Sequence, residues 1–137
     1  MYSALAGARE EPQQTAGLLE LVALEAYVLG ELTVALLGLG VDADLGDMEA
    51  TAAADTRAHA GDAWPDLVAW LKTDAEIALS HYAPMTDLAA GTSLEGLADL
   101  VVSHERALIS WAERTLAGAP DALADVRALV RSDGEAR

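Results

Sequence analysis

The chain has 137 residues, enough for one domain with a continuous core, and its 53% hydrophobic and 23% charged content is that of a globular protein. Aromatics make up only 4% and Phe is absent, a composition that favours close-packed helices over strands. Eight basic against 23 acidic residues give a formal charge of -15, which argues against nucleic acid and anionic lipid as partners; the lack of cysteine excludes disulfides, thiolate metal sites and thiol nucleophiles.

Residues 2–10 read as a short helix, which Glu11-Pro12 ends while starting the next. From about 13 to 37, Leu18, Leu21, Val22, Glu25, Val28, Leu29, Leu32 and Leu36 follow the i, i+3, i+4, i+7 template, and Gly38 suits the left-handed position that closes a helix. The run Leu18 to Leu39 has the length of a membrane span, but Glu20, Glu25 and Glu31 interrupt it and no basic flank precedes it, so it reads as an amphipathic core helix. The N-terminus lacks the basic and apolar regions of a signal peptide, and a cytoplasmic protein without a membrane partner is expected.

Residues 39–63 form a connection with Gly40, Gly46 and Gly61, and its Ala-rich piece at about 47–60 reads as a short crossover helix. Trp64-Pro65 opens a third segment whose stripe is Trp64, Val68, Leu71, Ala75, Leu79, Tyr82, Met85 and Ala89, with a kink predicted at Pro84. After Gly91, Thr92-Ser93-Leu94-Glu95 is a capping-box pattern. The helix it opens carries Leu94, Leu97, Val101, Glu105, Leu108, Ala112 and Leu116 and ends at Gly118. Pro120-Asp121 then starts a short C-terminal helix with Leu123, Val126, Leu129 and Val130 inward. One helical-bundle domain over 1–131 is expected, with 132–137 a frayed tail.

Positions 1–38 recur in register at 81–118. At an offset of 80, Tyr2 falls on Tyr82, Leu5 on Met85, Leu21 on Val101, Glu25 on Glu105, Val28 on Leu108, Leu36 on Leu116 and Gly38 on Gly118. The chain thus reads as two copies of one antiparallel helical hairpin joined by a crossover. Glu25 and Glu105 sit in the middle of apolar stripes, where burial is costly unless a metal, a donor or a proton compensates the carboxylate.

Two such hairpins, with a central Glu on the second helix of each and a Tyr in the first, resemble the ferritin-like superfamily over Tyr82 to Gly118 and Tyr2 to Gly38. The resemblance implies an all-α bundle. In members that bind two metal ions it also implies a Glu from each first helix and a Glu-x-x-His from each second helix. Glu25 and Glu105 match the second-helix glutamates, but Val28 and Leu108 stand where histidine should follow, and the stripe turns Ala75, between Asp74 and Glu76, inward at the first-helix position. No di-iron centre and no cofactor are therefore expected; a divalent metal on Glu25, Glu105 and His104 is the alternative.

Three functions fit these residues. The first is a binding or accessory protein whose Glu pair is compensated by the phenols of Tyr2, Tyr27 or Tyr82. The second is a small metal-dependent or acid/base enzyme using Glu25 and Glu105, helped by His104 and Tyr82, on a small apolar substrate. The third is a carrier whose apolar ligand lies against Tyr2, Tyr82, Met85 and Trp111. His104 itself reads as a boundary residue, the pair Asp55 and His59 as solvated surface, and Trp64, Trp70 and Trp111 as packing residues. The opening helix spans only about 13 Å against about 37 Å for the long helix beside it, so a two-fold homodimer through Leu18, Leu29, Leu32 and Leu36 is expected.

Overall fold

Prolines and glycines set the helix limits. The computed structural model describes the backbone of residues 1–41 and 46–131 and the side chains of 1–41 and 50–131. Among these residues there are six helices and no strand: α1 Tyr2–Gly7, α2 Pro12–Gly38, α3 Gly46–His59, α4 Trp64–Ala89, α5 Glu95–Leu116 and α6 Ala124–Arg131. The tail expected to fray lies outside the described residues.

Pro12 and Pro65 occupy the first turns of α2 and α4, where a missing N–H costs nothing. At the other end, α2 and α5 close in the same way. Gly40 and Gly118 take φ of 70° and 68°, and the next amides, Val41 and Ala119, each donate to a carbonyl five residues back, on Leu36 and Arg114, at 2.9 Å. Gly38 is therefore the last helical residue rather than the left-handed one, and the two caps are related by an offset of 78 rather than 80. The capping box before α5 is also displaced by one residue: Leu94 N–H donates to Thr92 Oγ1 at 3.2 Å, while Gly91 N–H donates to the Glu95 carboxylate at 3.0 Å. α4 runs on through Pro84 as one helix.

α5 is the central element, packed on α4, α2 and α6, while α1 lies on α2 and touches α3. One core results, built from Tyr2, Leu5, Leu18, Leu21, Leu24, Val28, Leu67, Val68, Leu71, Ala75, Leu108, Trp111 and Val126. The Trp64 and Trp111 rings meet edge to face with centroids 6.2 Å apart, so both are packing residues as expected. α2 runs antiparallel to α5, with Gly17 beside Trp111 at one end and Glu25 beside His104 further along.

Two pairs on the second helix of each proposed repeat share a fate, Leu21 with Val101 and Val28 with Leu108, all buried, whereas Val22 and Glu25 are only partly buried where Val102 and Glu105 are buried. The first-helix pairs diverge. Leu5 is fully buried but Met85 is 44% exposed, and Tyr2 is buried where Tyr82 is exposed. The stripe on α4 is fully buried only as far as Ala75; beyond it Leu79 and Ala89 are half-buried against the α5 hairpin and Tyr82 and Met85 are exposed. α2 is not amphipathic either. It is long and apolar enough by length and composition to cross a membrane, and it leaves Leu19, Leu29, Val34 and Leu37 exposed. Leu18 is fully buried and cannot contribute to a contact between copies.

Arg9, just after α1, fixes α3. Its guanidinium donates to the carbonyls of Asp62, Ala60 and His59 at 2.7, 3.0 and 3.3 Å, capping the C-terminal end of α3 with a positive charge.

Candidate functional site

The two glutamates singled out in the sequence meet through a histidine. His104, on the buried face of α5, places Nε2 3.1 Å from Glu25 Oε1 on α2 and Nδ1 3.2 Å from Oε1 of its neighbour Glu105. The His104 and Glu105 side chains are each 8% exposed, whereas Glu25 is 43% exposed. Glu105 is thus an interior carboxylate and Glu25 a boundary one, and the phenol donors expected for them are replaced by an imidazole. Burial, the largest influence on His104, lowers its pKa, but the hydrogen bonds to Glu105 and Glu25 and the charges of both more than offset this and hold it at about 9. At neutral pH the ring is an imidazolium with both N–H groups donating.

Adjacent positions 104 and 105 can both be buried because α5 is enclosed by α2 on one side and α4 on the other, so its inward arc is wider than a single stripe. The sequence carried that signal. Val101-Val102 and Ala107-Leu108 are adjacent apolar pairs on either side of His104-Glu105, and such pairs mark a broad buried face.

Glu25 opens onto a groove of ≈ 660 Å³ between α1, α2, α3 and α4. Its lining includes Met1, Tyr2, Val22, Ala52, Asp55, Asp74 and Tyr82. Among the described residues no Lys, Arg or His side chain lines it, while the carboxylates of Glu25, Asp55 and Asp74 do, along with Met1, which carries the α-ammonium. Burial pushes the Asp74 carboxyl above its ordinary value, and the charges of Asp55, Glu105 and Glu25 push the same way. The Tyr2 hydroxyl is raised well above the usual phenol value by burial and then by Glu25, Glu105 and Asp74, and Tyr82 is raised by burial and then by Glu105, Glu25 and Asp74. Both tyrosines stay neutral, and the groove carries a concentrated negative potential.

Of the expected ligand-contacting residues, Tyr2 and Tyr82 line the groove and the other two do not. Met85 lies one helical turn past Tyr82 on the less buried half of α4, and Trp111 is sealed in the core behind Gly17. His59 and Asp55 do not converge: the His59 ring stacks on Trp70 at 3.9 Å and its Nδ1 lies 2.7 Å from Asp62 Oδ2, whereas Asp55 faces the groove. Asp55 and Asp74 are the groove residues that periodicity did not single out, since an acidic residue on a helix surface carries no sign of the surface opposite it.

No protein-family model, curated protein or solved structure matches this chain.

The residues do not suit a di-iron centre. Val28 and Leu108 are buried apolar groups at the histidine positions, and both ring nitrogens of His104 are hydrogen-bonded to carboxylates. Among the described residues, no group of three or more His, Asp and Glu side chains has an arrangement able to hold a metal ion.

Proposed function

We propose that this chain is a ferritin-like helical-bundle binding protein without a di-iron centre, and that its groove between α1, α2, α3 and α4 holds a small ligand. The observation that carries the reading is the groove itself: a concave site with an apolar lining of Met1, Val22 and Ala52, two phenol rings and a few carboxylates around it. The packed α4–α5 hairpin and the approach of Glu25 to Glu105 through His104 support the ferritin-like assignment.

A binding role is favoured over acid/base catalysis by the state of the groups. An imidazolium with both N–H groups committed and a pKa of about 9 is not a base at neutral pH, and Tyr82 holds its proton more firmly than an ordinary phenol. The Glu105–His104–Glu25 chain instead acts as a positioning device that fixes the Glu25 carboxylate at the groove.

The test is a small-molecule screen by ligand-observed NMR, run in parallel on the native chain and on Val22→Trp, whose indole would fill the groove. Binders lost in Val22→Trp with the helical circular-dichroism signal retained are the expected result. A screen yielding no binder, or only binders indifferent to Val22→Trp, would overturn the assignment.

A further inference from the structure

Resting on the reading of the groove as a ligand site, the identity of the lining narrows the ligand class. Charge is the first constraint. Among the described residues three carboxylates line the groove, a fourth stands behind it on Glu105, and no cationic side chain is in the lining. Within the Glu25–His104–Glu105 set the single imidazolium balances one of two negative charges. The carboxylates outnumber the one positive group among the lining residues, the Met1 α-ammonium, so an anionic ligand would meet net repulsion, and a neutral one would leave carboxylates without partners on desolvation.

The second constraint is independent of the acidic residues. Tyr2 is 7% exposed, lines the groove, and its hydroxyl makes no hydrogen bond among the described residues. The oxygen is not sealed from the groove, so its hydrogen bond is left for water or a ligand to supply. A ligand reaching it can supply that bond. With carboxylates close by, the group that satisfies both is a donor, which the phenol oxygen and the carboxylates can each accept.

The third constraint is shape and polarity. The remaining contacts come from Val22, Ala52, Met1 and the faces of the tyrosine rings, which suit a carbon skeleton rather than a hydrated ion. Phenol rings also attract an ammonium group through their electron-rich faces.

We propose that the groove binds a small organic ammonium ion, with its N–H groups shared between the Glu25 and Asp74 carboxylates and the Tyr2 hydroxyl, and its carbon body against Val22, Ala52 and the Tyr82 ring. Asp55, on the opposite wall, adds to the attraction. The compact hydrated charge of a divalent metal ion would use the carboxylates but not the apolar lining.

Isothermal titration calorimetry with three probes of one shape tests this: 2-phenylethylammonium, 2-phenylethanol and 3-phenylpropanoate, with MnCl2 titrated separately. The ammonium is expected to bind at least about tenfold more tightly than the alcohol, with an affinity that falls as salt is raised, and the carboxylate is expected not to bind. Asp74→Asn, Asp55→Asn and Tyr2→Phe should each weaken the ammonium by roughly three- to tenfold. Asp74→Asn is the variant least prone to unfolding, since burial and three neighbouring carboxylates already disfavour the charged form of this carboxyl.

Alcohol and ammonium binding equally well would refute the ammonium assignment and leave the groove as a ligand site. Absence of binding by all three organic probes would remove the groove reading as well. Ammonium binding indifferent to Asp74→Asn and Tyr2→Phe would place the cation elsewhere on this acidic surface and overturn the inference. So would Mn2+ binding more tightly than the ammonium and being lost in Asp74→Asn.

Discussion

His104 Nε2 reaches Glu25 Oε1 at 3.1 Å across 79 positions of sequence, and this one hydrogen bond joins α5 to α2 at the edge of the groove. The same ring holds Glu105 through its other nitrogen. Proton occupancy of the imidazole therefore governs two carboxylates at once.

The sign of the pH dependence follows from the raised value. Protonated His104 is favoured by the folded state, so its contribution is complete below the ordinary histidine value near 6.5 and is lost as pH rises through about 9. A contribution of about 2–3 kcal/mol is expected, moderated by the solvent that reaches Glu25. Urea midpoints measured at pH 6, 8 and 10 should fall across this interval in the native chain, and the fall should be smaller in His104→Gln.

Removing the imidazole altogether is expected to be worse than removing the whole pair. His104→Leu leaves the Glu105 carboxylate buried without its partner and should lose about 3–5 kcal/mol. In His104→Leu/Glu105→Met the charge is gone, and stability should return to within about 1 kcal/mol of the native chain. Chemical denaturation of the three proteins decides the matter; a double variant as weak as the single one would mean that the loss comes from packing.

Arg9→Ala should release α3 selectively. The change removes donors from the carbonyls of His59, Ala60 and Asp62 and takes a positive charge from the end of the helix, a loss of about 1–3 kcal/mol. Hydrogen exchange should quicken in α3 while α2, α4 and α5 keep their protection.

Gly17→Ala should stabilise the chain by about 0.5–1 kcal/mol. Gly17 is a helical residue, and an added Cβ would lie 3.8 Å from Trp111 Nε1, an ordinary van der Waals contact. A thermal melt shifted upward is the expected result; a downward shift would show that the α2–α5 contact admits no methyl group.

The uncovered apolar face of α2 makes a fifth expectation. Leu29, Val34 and Leu37 are exposed on a largely apolar helix, so pairing with a second copy is expected at tens of micromolar. Light scattering should report a dimer for the native chain and a monomer for Leu37→Glu.

Helix limits were legible in the sequence because local chemistry sets them: Pro12, Pro65, Gly118 and the Thr92 to Glu95 box act within their own turn, and the long helices begin and end within one residue of the periodic reading. Burial was legible only where both neighbours of a helix could be inferred. The stripe from Leu79 to Ala89 has the same period as the stripe from Trp64 to Ala75, and nothing in it tells that only the first half of α4 is fully buried. Glu25 and Glu105 stood out as charges on apolar stripes. His104 was noticed beside them but read as a boundary residue, because it lies one position off a stripe whose true width depends on α2 and α4 together.

α3 supplies Thr51, Ala52 and Asp55 to the groove, yet none of its described side chains belongs to the buried core, and polar contacts through Arg9 hold its end in place. The wall is consequently far less stable than the floor. A ligand that spans Asp55 and Asp74 must spend part of its interaction energy ordering α3, so measured affinity would understate the contacts made, and any change that stiffens α3 from outside the groove would tighten binding without touching the ligand.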